Sequence, residues 1–93
     1  RKITDVKIST NKKLQNIIEW NYQGKIDSFL VIAKDFDNIR IIEKLSHRKI
    51  NNKHIYCIDA DIAKRNTKTE YVINGMDEFN KIVAKERITY GRE

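Results

Sequence analysis

Four groupings in this sequence have residue types that do chemistry. His47 and His54 are its two histidines and bracket an Asn-rich stretch. Imidazoles open many zinc sites, but a closed site takes four ligands and no second ligand pair accompanies these two. Asp35-Phe36-Asp37-Asn38 has the oxygen-rich start of a calcium loop without the Gly and the bidentate terminal Glu that such a loop needs. Asp and Asn at these positions instead favour a turn, because their side chains bond their own backbone. Asp59 and Asp61 stand two apart, so on a strand they share one face, and paired carboxylates can do acid–base work. No third group beside them tunes their acidity, and the expectation is a solvated or edge-facing strand face. Cys57 is the single cysteine, which excludes an internal disulfide. Its neighbours Ile55, Tyr56 and Ile58 mark a buried, inert thiol rather than a nucleophile. The glycines Gly24, Gly75 and Gly91 build no phosphate loop. The expectation is therefore no catalytic, cofactor-binding or metal-ligating residue, and no enzyme.

The elements that position these residues repeat with a period of two, and their apolar residues are mostly β-branched, the pattern of half-buried strands. Seven runs are predicted: Ile3–Ser9, Leu14–Tyr22, Ile26–Lys34, Ile39–Leu45, His54–Ile62, Thr69–Gly75 and Lys81–Tyr90. Polar turns separate them at Thr10–Lys13, Gln23–Lys25, Asp35–Asn38 and Asp77–Asn80, with longer polar connections at Ser46–Lys53 and Ala63–Lys68. Val6 and Ile8 share a face, as do Leu14, Asn16, Ile18, Trp20 and Tyr22, and as do Ile82, Ala84, Glu86, Ile88 and Tyr90. A helical spacing competes over Asn38–Ser46 and Met76–Arg87, and the β-branched residues favour strand. Seven short runs with regular turns describe an all-β, seven-stranded antiparallel sandwich. Trp20 lies in phase with Ile18 and Tyr22, which makes it core rather than a stacking platform for a ligand.

With 93 residues, 40% of them hydrophobic and 34% charged, the chain is too apolar to be disordered and has room for one core. No apolar run approaches the roughly 20 residues of a membrane span. The chain begins Arg1-Lys2-Ile3-Thr4, without an initiator Met or an apolar signal core. Residues 1–93 read as one module, cut from a larger multidomain protein. The net charge of +6 raises the expectation of an anionic partner such as nucleic acid. Against it, Ile, Asn and Lys make up 38 of the 93 residues and Pro is absent, the bias an AT-rich genome imposes without selection for charge. The tightest basic groups are Lys12-Lys13, Arg48-Lys49 with Lys53, and Lys64-Arg65 with Lys68, all in polar connections where solvated charge is the default. Nothing in the composition fixes a compartment.

Three fragments in order carry a resemblance. Ile18-Glu19-Trp20 opens the second strand's core; Ile26, Phe29, Val31 and Ala33 follow at offsets of zero, three, five and seven; Thr69-Glu70-Tyr71 precedes Ile73 and Gly75. Together, over the whole length, the chain resembles a fibronectin type III domain. The resemblance implies a core of Ile18, Trp20, Phe29, Val31, Tyr71 and Ile73, with the Tyr71 hydroxyl forming a corner that bonds back to the preceding loop. The chain departs from the family pattern in having no Pro, in a longer Ile62–Tyr71 connection and in Ala33 where an aromatic is usual. The family consists of binding modules and spacers, so the resemblance implies a non-catalytic role.

One face remains to be explained. If Phe29, Val31 and Ala33 face the core, Leu30 and Ile32 point outward. On the resemblance the sixth and seventh strands neighbour the third, so Val72 and Val83 join that outer face. A half-exposed antiparallel sheet is normally polar there, and four aliphatics imply a cover. The expected role is docking of a protein partner or adjacent domain through Leu30, Ile32, Val72 and Val83, or a plain spacer if long stems such as Lys34 and Lys85 screen the patch. The alternative is a weak nucleic-acid or anionic-polymer binder using the loop Lys and Arg residues.

Overall fold

The computed structural model describes residues 1–35, 38–45, 54–62 and 68–91. The alternating apolar runs form seven strands: β1 (Lys2–Thr10), β2 (Gln15–Gln23), β3 (Ser28–Asp35), β4 (Asn38–Leu45), β5 (His54–Ile62), β6 (Thr69–Met76) and β7 (Ile82–Tyr90). All pairings are antiparallel. A three-stranded sheet in the order β1-β2-β5 faces a four-stranded sheet in the order β4-β3-β6-β7. The molecule is an all-β sandwich, and the segments with competing helical spacing are β4 and β7. The expected turn at Asp35–Asn38 and the connections Ser46–Lys53 and Ala63–Lys68 lie wholly or partly outside the described residues.

The inner faces follow from the period of two. Ile18 and Trp20 of β2 and Phe29, Val31, Ala33, Tyr71 and Ile73 of the facing sheet are fully buried. Ile3, Ile26, Leu45, Ile55 and Cys57 complete the core cluster. Trp20 and Tyr22 each meet Phe29 edge-on, with ring centroids 5.4 and 5.3 Å apart, the geometry that sets a positive ring edge against a negative face. Among the described residues the Trp20 indole N–H has no hydrogen-bond partner. Gly75 allows a close approach: a Cβ there would stand 3.2 Å from two side-chain atoms of Ile26, which packs in the core just ahead of β3.

Two turns at opposite ends of the sandwich share one construction. The Asn11 Oδ1 accepts from the backbone N–H groups of Lys13 and Gln15, and the Asp77 Oδ1 accepts from those of Phe79 and Lys81. In each, the fourth residue has a left-handed backbone, φ +63° at Leu14 and +62° at Asn80. Asn tolerates that region; Leu does not do so readily. Leu14, expected in β2, is therefore turned out of the strand.

Three strands carry bulges, and the one in β7 corrects an expectation. In β1, Asp5 and Val6 stand opposite Trp20 alone, between the pairs Thr4–Asn21 and Lys7–Glu19, with φ +53° at Asp5. The bulge lets both Ile3 and Val6 reach the core. In β4, Ile42 is the extra residue and turns inward. In β7 the extra residue is Val83. It packs against the core while Ile82 is exposed, so Val83 leaves the outer face and Ile82 takes its side.

Candidate functional site

Outward alternation on the four-stranded sheet brings side chains from non-adjacent segments into rows. Ile41, Ile32, Val72 and Arg87 are paired in one register row across β4, β3, β6 and β7. Beside it run Lys44, Leu30, Asn74 and Lys85, and on the other side Ile39, Lys34, Glu70 and Thr89. The centre is thus aliphatic and the rim charged. Asn74, buried within it, donates through Nδ2 to the Leu30 carbonyl at 3.2 Å. Lys34 and Glu70 approach to 3.9 Å, an exposed pair of little energetic weight.

The four residues expected on this face are distributed unequally. Val72 is 2% exposed and stands outside the core cluster, covered by the chain's own side chains. Leu30 and Ile32 are half-buried. Val83 belongs to the core side, as above. The open aliphatic surface lies instead on β4, where Ile39 is 68% and Ile41 72% exposed. Sequence reasoning missed these two because Ile41-Ile42 fits neither period; the bulge at Ile42 resolves the pattern by sending Ile41 out and Ile42 in.

A second cluster lies at the end of the sandwich where β3 and β5 finish and β2 and β6 begin. The Tyr71 hydroxyl donates to Asp59 Oδ2 at 2.6 Å and accepts from Asn16 Nδ2 at 2.9 Å. Arg40 holds Asp59 with both terminal nitrogens, at 2.9 and 3.1 Å, and Asp35 through Nε at 2.7 Å. Thr69 donates to the other Asp35 oxygen. Thr10, with its hydroxyl 2.9 Å from that of Tyr90, donates to Asn16 Oδ1 at 3.4 Å. One expectation is corrected. Asp59 is buried, not solvated, because Arg40 of the opposite sheet neutralises it. The Tyr71 hydroxyl bonds side chains of the facing sheet, and the loop its expected corner would bond, residues 63–67, lies outside the described residues.

The electrostatics tie the two sheets together at this cluster. Burial and the hydrogen bond to Asp59 push the Tyr71 hydroxyl well above its ordinary pKa. The Asp59 hydrogen bonds hold the Arg40 guanidinium charged. Both Asp59 oxygens accept hydrogen bonds. A buried pair of this kind adds little net stability, but removing one partner strands the other.

The remaining candidates are quickly placed. Burial pushes the Cys57 thiol up to about 12, which keeps it protonated and unreactive near neutral pH. His54 sits on the outer face of the three-stranded sheet with Nδ1 2.9 Å from Asn21 Oδ1 and Nε2 3.1 Å from Glu19 Oε2. His47, the Asp61 side chain, Phe36, Asp37 and the basic residues Arg48, Lys49, Lys53, Lys64 and Arg65 lie outside the described residues. Lys12, Lys13 and Lys68 are exposed. Among the described residues no group of three His, Cys, Asp or Glu side chains is placed to hold a metal ion, and no helix is long and apolar enough to cross a membrane. Compared with models of known families and with curated proteins, the chain matches none.

Proposed function

We propose that this chain is a fibronectin type III-like module whose work is non-catalytic: it docks an adjacent domain or a protein partner through the outer face of its four-stranded sheet. Support for the family reading comes from the strand order, three strands β1-β2-β5 facing four strands β4-β3-β6-β7, together with Trp20 and Tyr71 in the core. The Tyr71 hydroxyl bonds Asp59 and Asn16 of the facing sheet. The observation that carries the docking role is the row Ile41–Ile32–Val72 with Ile39 beside it, aliphatic where an antiparallel sheet facing water is polar. Lys34, Lys44, Lys85 and Arg87 form a basic rim, so the complementary surface is apolar at its centre and acidic around it.

The test is Ile32→Lys combined with Ile41→Lys. The isolated chain carrying both should fold, since neither residue belongs to the core cluster. The complete protein carrying them should lose a complex or a domain contact that the unmodified protein makes. Unfolding of the isolated chain would place these residues in the core. Unaltered assembly of the complete protein would leave the module a spacer.

A further inference from the structure

The aliphatic patch on the outer face of the four-stranded sheet has a shape and a charge, and both narrow what can cover it. Its open and half-buried residues lie on two adjacent strands, Leu30 and Ile32 on β3, Ile39 and Ile41 on β4. Toward β7 the rows turn polar, through Glu70 and Asn74 to Lys85, Arg87 and Thr89. Neighbouring strands stand about 4.8 Å apart, and successive outward residues of one strand about 6.7 Å apart. The patch is therefore a short stripe along the strands, two strands wide. One face of an α-helix presents a stripe of the same dimensions. Residues i and i+4 rise about 6 Å along the helix axis, and side chains three and four apart are neighbours at about 5–6 Å.

The charge is one-sided. The three outward rows hold Lys34, Lys44, Lys85 and Arg87 against one carboxylate, Glu70, which Lys34 approaches to 3.9 Å. Lys44, Lys85 and Arg87 are exposed, and among the described residues they form no ion pair. The outer face of the other sheet mixes its signs, with Lys7 opposite Glu19. Unpaired cations around an aliphatic centre are complemented by carboxylates on the covering surface. A second copy does not supply them, because two-fold pairing on this face sets the four cations against themselves. A lipid surface is met through interfacial Trp and Tyr and a nucleic-acid strand through stacked aromatics, and the three rows contain no aromatic residue. A strand added beside β4 would meet the bulge at Ile42, a feature that blunts edges against pairing. Resting on the docking role above, we propose that the covering element is an amphipathic helix with an acidic flank. It lies along β3 and β4, with its apolar stripe on Leu30, Ile32, Ile39 and Ile41 and its carboxylates toward Lys85 and Arg87.

The probe is a synthetic peptide of about 18 residues, long enough to form a helix on its own, with Leu at helical spacing on one face, Glu on the flanks and Ala elsewhere. It is titrated into the isotopically labelled 93-residue chain while amide and methyl resonances are followed. Saturable shifts centred on residues 30–32 and 39–41 are expected, with a gain of peptide helicity. Replacing every Glu with Lys, or placing a helix-breaking Pro at the centre, should weaken binding about tenfold or more. Lys85→Glu combined with Arg87→Glu should reverse the preference, weakening the Glu peptide and strengthening the Lys peptide. The proposal is overturned by no binding at millimolar peptide, by equal binding of the Lys or Pro peptide, or by a charge swap that reverses nothing. Binding of the chain to phosphatidylserine vesicles, or its self-association, would overturn it too if Ile32→Lys abolished either, by naming another occupant. If the peptide fails while Ile32→Lys with Ile41→Lys still disrupts the complete protein, this inference falls and the docking role stands.

Discussion

The two faces of the four-stranded sheet are built from the same kinds of residue and meet opposite fates. Phe29, Val31, Ala33, Tyr71 and Ile73 on the inner face are fully buried, because a second sheet lies over them. Leu30, Ile32, Ile39 and Ile41 on the outer face range from half-buried to largely open, because no described strand lies over them. The difference lies in what stands opposite each face, not in side-chain chemistry. Inner residues draw their worth from this chain alone; in the proposed docking role, outer residues draw theirs from a partner's surface. Mutations should therefore separate the two faces by where their effect is read, as stability inside and as association outside.

The largest effect belongs to the inner face. Trp20→Ala should cost about 3–5 kcal/mol, the usual result of truncating a large buried aromatic, read by chemical denaturation. The native emission of Trp20 should be blue-shifted and protected from quenchers. A red-shifted, freely quenched emission would break the contrast at its root.

Next comes the polar joint between the inner faces. Asp59→Ala should destabilise by roughly 3 kcal/mol, the low end for removing one partner of a buried pair, since Arg40 retains Asp35. Tyr71→Phe should cost less, about 1–2 kcal/mol, by leaving the buried Asn16 amide without its acceptor. If Asp59→Ala were neutral in a denaturant titration, the joint would be solvated surface and the inner face shorter than described.

Alkali should find the inner face through its acids. Burial raises the Cys57 thiol to about 12, and burial with the Asp59 hydrogen bond raises the Tyr71 hydroxyl. For a group whose pKa is higher folded than unfolded, the stabilisation is complete below the unfolded value, about 8.5 for a thiol, and is lost as pH climbs through the folded value. Thermal stability should thus weaken progressively between about pH 8.5 and 12. Cys57→Ala should lessen that loss, and native Cys57 should resist alkylation at pH 8 until the chain is unfolded. Rapid alkylation of the folded chain would contradict the burial.

The smallest stability effect is expected outside. Ile41→Lys should change the stability of the isolated chain by no more than about 0.5 kcal/mol, as for other exposed positions. A loss several times larger would mean that Ile41 is held by the chain itself, and the contrast between faces would shrink.

Much of this contrast was legible in the sequence, because a period of two assigns faces without knowledge of pairing partners. Alternation put Trp20 in phase with Ile18, the resemblance implied a core of Ile18, Trp20, Phe29, Val31, Tyr71 and Ile73, and β5 matches its predicted span end to end. What alternation cannot see is the residue that breaks it. Ile42 and Val83 each add one position to an edge strand, and each exchanges inside for outside. The open surface thereby moves from Val72 and Val83 to Ile39 and Ile41. Nor can a local pattern show a charge neutralised from another strand. Asp59 reads as solvent-facing until Arg40, 19 positions earlier, is seen to hold it. Leu14 was misplaced because its left-handed backbone is imposed by the Asn11 turn, not by its own preference.

The central claim, that the outer face is covered in the working protein, can be measured where the protein works. A photo-reactive amino acid is placed at position 41, and as a control at position 7, on the outer face of the other sheet, in the complete protein expressed in its own cells. Irradiation and mass spectrometry of the products follow. The account predicts a discrete cross-link from position 41, to an adjacent domain or to one partner, that position 7 does not give and that Ile32→Lys removes. Equal, diffuse labelling from both positions would contradict it, and the aliphatic face would then be surface that water alone covers.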